Sequence, residues 1–206
     1  MRVDGPHPSE EWNEGEVTEP RQAASIIVLR DSPAGPEVLL VRRNPAQRFM
    51  GGAWVFPGGA VHAEDADHAA AAVRELEEEA GVALPDAHPV IAWSRWITPA
   101  EVVVRFDTWF FVTEAPTGAQ ATADGGECVD AVWLRPRAAL DAHAGGTLML
   151  VFPTIKHLEA LAQMESVAQA LEKARTREVV PVQPRVVVRE GSAEVLLPGE
   201  PGYEQT

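Results

Sequence analysis

The nine residues Arg74-Glu75-Leu76-Glu77-Glu78-Glu79-Ala80-Gly81-Val82 constrain this chain more than any other stretch. They close an alanine-rich run, and Ala, Leu, Glu and Arg are all strong helix formers. Gly81 suits the position just past a helix end, where a left-handed backbone is easiest for glycine. The pattern predicts a helix from Asp67 or His68 to Ala80. On it Glu75, Glu78 and Glu79 stand at i, i+3 and i+4 and project from one face. Val73, Leu76 and Ala80 take the apolar face, and Glu77 is left to solvent. Like charges at this spacing repel, and a helix C-terminus disfavours acids. A solvated acidic face is one resolution. A divalent cation with oxygen ligands, typically Mg2+ shared with substrate phosphates, is the other.

The rest of the chain narrows the class. Its 206 residues give room for one domain with a sizeable core. The net charge of −14 argues against nucleic acid as a partner, since that footprint is basic. No apolar run approaches the roughly 20 residues of a membrane span. The first 20 residues are acidic and lack an apolar signal core, and Cys128 is the sole cysteine. A cytoplasmic protein without internal disulfides is expected.

Residues 1–20, rich in Pro, Glu and Gly, predict a mobile arm, and 21–206 a single domain. Strands are expected at 24–29 and 37–42 as a hairpin, at 54–56, 90–97, 102–112 and 127–134. Pro136–His143 reads as a short helix. Pro153 to Thr176 reads as the longest helix, carrying Ile155, Leu158, Leu161, Ala162, Val167 and Leu171. The tail, 177–206, offers two short strands around Gly191. Strands interleaved with helices give an α/β (α+β) fold, a mixed sheet covered by helices.

Phe56-Pro57-Gly58-Gly59 precedes the helix, and Arg74-Glu75-x-x-Glu78-Glu79-x-Gly81 lies within it. Together, over 58–82, they resemble the Nudix hydrolase box, G-x5-E-x7-R-E-U-x-E-E-x-G-U. Gly58 to Glu64 fits the first spacing, and Arg74 to Val82 fits the last. Between them nine residues stand where the family has seven, so Glu64, Asp65 and Asp67 compete for the role of the first box glutamate. The resemblance implies an α/β/α sandwich and a hydrolase acting on the diphosphate of a nucleoside diphosphate linked to another group. It implies Mg2+ or Mn2+ held by Glu75, Glu78 and Glu79, with Glu75 as ligand or base and Arg74 orienting it. A further acid is expected from a later loop. Glu127 is the candidate, as ligand or base, with Asp130 its rival. A homodimer is also implied.

Phe49–Gly59, Arg105–Phe111, Phe152-Pro153-Thr154 and Leu196–Gly199 look like the acyl-CoA diphosphatase branch. That branch implies CoA or acyl-CoA cut to 3′,5′-ADP and (acyl-)phosphopantetheine. The histidine signature of a sister branch is not met, since Met50 stands there. ADP-ribose, NADH or another dinucleotide is the alternative substrate, and a non-catalytic nucleotide- or CoA-sensing module the alternative class. Arg48, Gly58, Gly59 and Arg105 are the expected substrate contacts, with Arg42, Arg43 and Arg95 as further phosphate clamps. Trp54, Trp93, Trp96 and Trp109 either stack on a base or pack in the core. Cys128 reads as a small buried residue. A zinc site at His62 and His68 is not supported by spacing.

Overall fold

The computed structural model of the chain describes residues 2–3, 12–13, 15–189 and 192–204. Its elements run β1 (Arg2–Val3), β2 (Arg21–Ser32), β3 (Gly35–Arg43), β4 (Trp54–Val55), β5 (Gly58–Ala60), α1 (His68–Ala80), β6 (Ile91–Ile97), β7 (Phe106–Glu114), β8 (Cys128–Leu134), α2 (Pro136–Ala144), α3 (Phe152–Leu161), α4 (Val167–Thr176), β9 (Pro181–Val182), β10 (Arg185–Arg189) and β11 (Ser192–Leu196).

Eight of the strands form one mixed sheet in the order β4-β3-β2-β7-β6-β9, with β5 also paired to β2 and β8 to β3. At its centre β2 runs parallel to β7, from Arg21 opposite Phe106 to Leu29 opposite Glu114. Both faces of β2 are buried, and its alternation divides two cores. Ala24, Ile26 and Val28 join Leu39, Val41 and Phe111 beneath Ala71, Ala72, Leu76 and Ala80 of α1. Ile27 and Leu29 join Val38, Leu40, Phe110 and Val112 against Ile155, Leu158, Leu161, Val167 and Leu171 of α3 and α4. The result is the α/β/α sandwich expected from the sequence.

The key helix begins and ends where its residues dictate. Asp67 caps it, its carboxylate accepting from Ala70 N at 2.8 Å. Gly81 ends it at φ 64° with its N–H on Glu77 O.

Two expectations are corrected. The long helix over 153–176 is two helices, α3 and α4, broken at 162–166. Ser166 starts α4 by accepting from Gln169 N at 3.2 Å, and Gln169 Oε1 accepts from Glu165 N at 2.7 Å. Asp31, near the end of β2, also caps Val167 N at 3.0 Å. The apolar spacing slips at the same place, where Glu165 and Ser166 stand in the positions due for apolar residues. The strand expected from Val102 starts only at Phe106. Residues 98–105 form a closed turn, Thr98 N donating to Phe106 O at 2.9 Å and Phe106 N to Thr98 Oγ1 at 3.0 Å.

Of the arm expected over 1–20, positions 1, 4–11 and 14 lie outside the described residues. Trp12 bridges Val102, and Thr18 Oγ1 donates to Val103 O at 2.7 Å. The tail forms the expected strand pair, β10 with β11, and β1 joins β11 at its other edge; the expected turn residue Gly191 lies outside the described residues. Among the described residues no helix is long and apolar enough to cross a membrane.

Candidate active site

Pro57 and the two glycines form a short edge pressed against the middle of the sheet. Gly58 lies opposite Ser25 and Gly59 opposite Ala24. Ser25 Oγ donates to Pro57 O at 2.9 Å, fixing the turn. A Cβ on Gly58 would come 2.6 Å from Ser25 Cα, and one on Gly59 would meet the Glu75 carboxyl carbon at 2.6 Å. Both glycines are therefore demanded by close approach of the protein to itself. Gly58 N donates to Glu79 Oε2 at 2.9 Å, and the Glu75 carboxylate lies over Gly59.

The helix splits its acids. Glu75 and Glu79 are 7% and 2% exposed and share the inner face with Leu76. Glu78 turns outward, its side chain 59% exposed, and pairs with Arg74 Nη1 at 2.8 Å. Sequence spacing alone puts all three on one face. The inner pair is at i, i+4, and Arg74, one turn before Glu78, draws the third away.

Arg74 is the hub. Nη1 also binds Glu75 Oε1 at 2.8 Å, Nη2 donates to Ala60 O at 3.1 Å, and Nε and Nη2 each meet Asp65 at 3.0 Å. The three acids that compete for the first box position have different surroundings. Asp65 takes the arginine, Asp67 caps the helix, and Glu64 is exposed. The Arg74 bond, with the His62 N–H, holds the Asp65 carboxyl down at about 2.

Burial sets the charge of the inner pair. It pushes the Glu75 carboxyl up, against the opposing pull of Arg74. It pushes Glu79 up to about 7, although the Gly58 N–H works the other way. Glu127 adds repulsion to both. This acid from the residue just before β8 thus reaches the same electrostatic neighbourhood as the two helix acids. Its side chain is half-exposed and meets Arg43 Nη2 at 3.4 Å. Its rival Asp130 lies opposite Arg42, on the face shared by Leu40 and Val132, away from Cys128 and Glu79. An irregularity in the β3–β8 pairing next to Arg43 separates the two.

Cys128 is fully buried and its thiol donates to Glu79 Oε1 at 3.4 Å. Burial, then the Glu79 charge, pushes its pKa up, so it stays a thiol. It is the small buried residue expected, with the added task of touching Glu79.

Other candidates lie elsewhere. Arg48 is exposed in the 44–52 loop. Arg105, expected on substrate, is 7% exposed and donates to the backbone carbonyls of Thr98 and Thr18. Arg95 is locked onto Asp107 by bonds of 2.8 and 2.6 Å. Trp93 is a core residue, 1% exposed, while Trp54 and Trp96 are half-buried against the same cluster. Trp109 packs on the other.

Among the described residues no three His, Cys, Asp or Glu side chains are gathered closely enough to hold a metal as they stand. Glu78 is occupied by Arg74, and Glu127 by Arg43. The donor chemistry nonetheless fits a hard cation. Two buried carboxylates, only partly offset by Arg74 and the Gly58 N–H, carry a repulsion and desolvation cost that a divalent ion would relieve, and the neighbouring sulfur is protonated, which leaves an all-oxygen set.

Comparison with known proteins bears on the family. The model of the NUDIX domain matches residues 19–149. The chain is 27% identical over 228 residues to a Caenorhabditis elegans protein named as a nudix hydrolase, covering 92% of this chain and 77% of that one. It is 36% identical over 118 residues to the uncharacterized Nudix hydrolase NudL of Klebsiella pneumoniae, spanning 57% of this chain and 58% of NudL. The crystal structure of a NUDIX hydrolase from Alicyclobacillus acidocaldarius superposes with a TM-score of 0.67 at 29% identity, over 75% of this chain and 96% of that one. The NUDIX domain of Shewanella oneidensis NrtR, solved with ADP ribose, shares the fold at a TM-score of 0.57 and 16% identity, over 69% of this chain and 86% of that one. By the domain match, with Arg74 set against the buried Glu75 and Glu79, the chain belongs to the Nudix family of hydrolases, which act on pyrophosphate bonds.

Proposed function

We propose that the chain hydrolyses the phosphoric anhydride of a nucleoside diphosphate linked to a second group, with CoA or acyl-CoA as the first substrate class, and that it does so with Mg2+ or Mn2+. The observation that carries this is the pair Glu75 and Glu79, buried beneath Gly58 and Gly59 with raised pKa values and Glu127 repelling both. Buried carboxylates so arranged are costly unless a cation or a proton joins them. Glu75, Glu78, Glu79 and Glu127 would hold the ion. Bound there, it neutralises charge on the diphosphate oxygens.

The chain's own groups do the rest. Arg74 orients Glu75, which is ligand or base for the attacking water. Glu127 is the second candidate base. Arg43, beside Glu127, and Arg48, in the following loop, supply cationic contacts for phosphate. Arg105 ranks below them, since it is 7% exposed and its Nε and Nη1 donate to backbone carbonyls. The CoA assignment rests on likeness at Phe49–Gly59, Arg105–Phe111, Phe152–Thr154 and Leu196–Gly199 to the acyl-CoA diphosphatase branch.

The test is a mass-resolved hydrolysis screen with Mg2+ over CoA, short- and medium-chain acyl-CoA, ADP-ribose, NADH and a diadenosine polyphosphate. Release of 3′,5′-ADP from the CoA compounds alone is the expected result. Cleavage of ADP-ribose or NADH instead would keep the anhydride chemistry and overturn the substrate class.

Glu127→Gln is expected to slow turnover well over tenfold, since losing a base or ligand typically costs about 10²–10⁴. Its melting temperature should not fall, because the side chain is half-exposed. An unchanged rate would remove Glu127 from the reaction, and Asp130, on the opposite face, could not replace it.

A further inference from the structure

The loop before β8 holds Glu127 by an unusual number of bonds for an exposed segment. Asp124 Oδ2 accepts from Gly126 N at 3.0 Å and Glu127 N at 2.9 Å, while its Oδ1 accepts from Cys128 N at 2.8 Å. Gly125 N donates to Cys128 O at 2.8 Å, closing the turn with Gly125 at φ 78°. From the other side Asn44 N donates to Glu127 O and Asn44 Nδ2 to Gly126 O, each at 2.8 Å. Asn44 Oδ1 accepts from Ala46 N at 2.9 Å, so the same residue also shapes the start of the 44–52 loop. The amides of 126–128 are thus tied to Asp124 and the carbonyls of Gly126 and Glu127 to Asn44, while the Glu127 carboxylate faces Arg43.

We propose that Asp124 and Asn44 form a clasp that positions Glu127 for catalysis and couples it to the loop carrying Arg48. The inference rests on Glu127 taking part in the reaction. Neither residue meets the reacting atoms; both act through the acid they hold. The physical case is one of restraint. A half-exposed glutamate on a glycine-rich loop samples many orientations, and each must be lost before it can act. Three amides bound to one carboxylate fix the backbone beforehand. A misplacement of about 1 Å at a catalytic group costs about 10²-fold in rate.

The experiment is a cycle on the full chain with Asp124→Ala, Asp124→Asn, Glu127→Gln and the double variant D124A/E127Q. Asp124→Ala should lower kcat by about tenfold with KM within about twofold, as expected of lost positioning. Asp124→Asn retains one acceptor oxygen and should recover part of the loss. In the Glu127→Gln background Asp124→Ala should change kcat no further. Hydrogen exchange, read without substrate, should show faster exchange at the amides of 126–128 in Asp124→Ala. Equal loss of kcat in both backgrounds would overturn the clasp and leave Asp124 a general structural residue. So would wild-type kcat in Asp124→Ala while Glu127→Gln is slow. A wild-type rate in Glu127→Gln would instead overturn the role of Glu127 itself, and the positioning with it. Should Asp124→Ala fail to fold, Asp124→Asn and Asn44→Ala carry the same comparison.

Discussion

Replacing Glu79 by Gln is expected to abolish Mg2+-dependent turnover, a loss of at least about 10³-fold, while the fold persists. Glutamine has the same shape and its amide oxygen can still accept from Gly58 N, now at 2.9 Å from the carboxylate. What disappears is a buried negative charge. Its loss has a second consequence, opposite in sign to the usual penalty of mutation. Burial raises Glu79 to about 7 from an ordinary value of 4.5. The unfolded chain therefore releases that proton at lower pH than the folded one. The stability tied to this group is complete below about pH 4.5 and falls as pH rises to about 7. At about 1.4 kcal/mol per pH unit, the effect reaches a few kcal/mol. In EDTA, Glu79→Gln should melt higher than wild type at pH 8 and alike at pH 4. Differential scanning calorimetry across that range checks it. Normal activity in the variant would sink the metal assignment.

Replacing Arg74 by Lys is expected to lower kcat about 100-fold and to loosen the loop before the helix. The guanidinium serves Asp65, Glu75, Glu78 and Ala60 O at once, with contacts of 2.8 to 3.1 Å. An ammonium offers three donors from a single point and cannot reproduce the forked pair with Asp65. Glu75 then loses its orienting partner, and Glu78 is freed toward solvent. A pH signature follows here too. Asp65 is held at about 2 in the folded chain against 3.8 ordinarily, chiefly by Arg74. Its contribution to stability is complete above about pH 4 and lost as pH falls through 2. In Arg74→Lys this acid limb should flatten. A melting profile between pH 5 and 2 reads it, and an unaltered profile would show that the Asp65 pairing does not matter to the fold.

The helix at the centre of the site was legible almost residue by residue, since Asp67 and Gly81 are local signals. So was the sheet, because the unbroken apolar runs in β2 and β3 follow from burial on both faces. What escaped reading depended on partners far along the chain. Glu75, Glu78 and Glu79 look equivalent by spacing, and only the meeting of helix and glycine edge sends two inward and one out. Which of Glu64, Asp65 and Asp67 meets Arg74 could not be read until the loop was closed. The break in the long helix was half readable: Ser166 and Gln169 make a capping pair three residues apart, but Asp31 comes from another hairpin. The burial of Arg105 was not readable, because a charged residue near a strand start does not announce that two carbonyls will enclose it. Glu127 was proposed from its place at a loop–strand junction, and the Asp124 carboxylate that binds its amide sat in the same Asp-Gly-Gly-Glu run.

Cys128 is the only thiol in the chain. It is enclosed between β8 and the helix, touching Glu79, and its pKa is pushed up by burial. An alkylating reagent meets that sulfur only when strand and helix part. Its labelling rate is therefore an internal clock for the breathing of the carboxylate site, reporting the population of the opened form when closing is fast. Any ligand that draws Glu75 and Glu79 together slows the clock without itself touching sulfur.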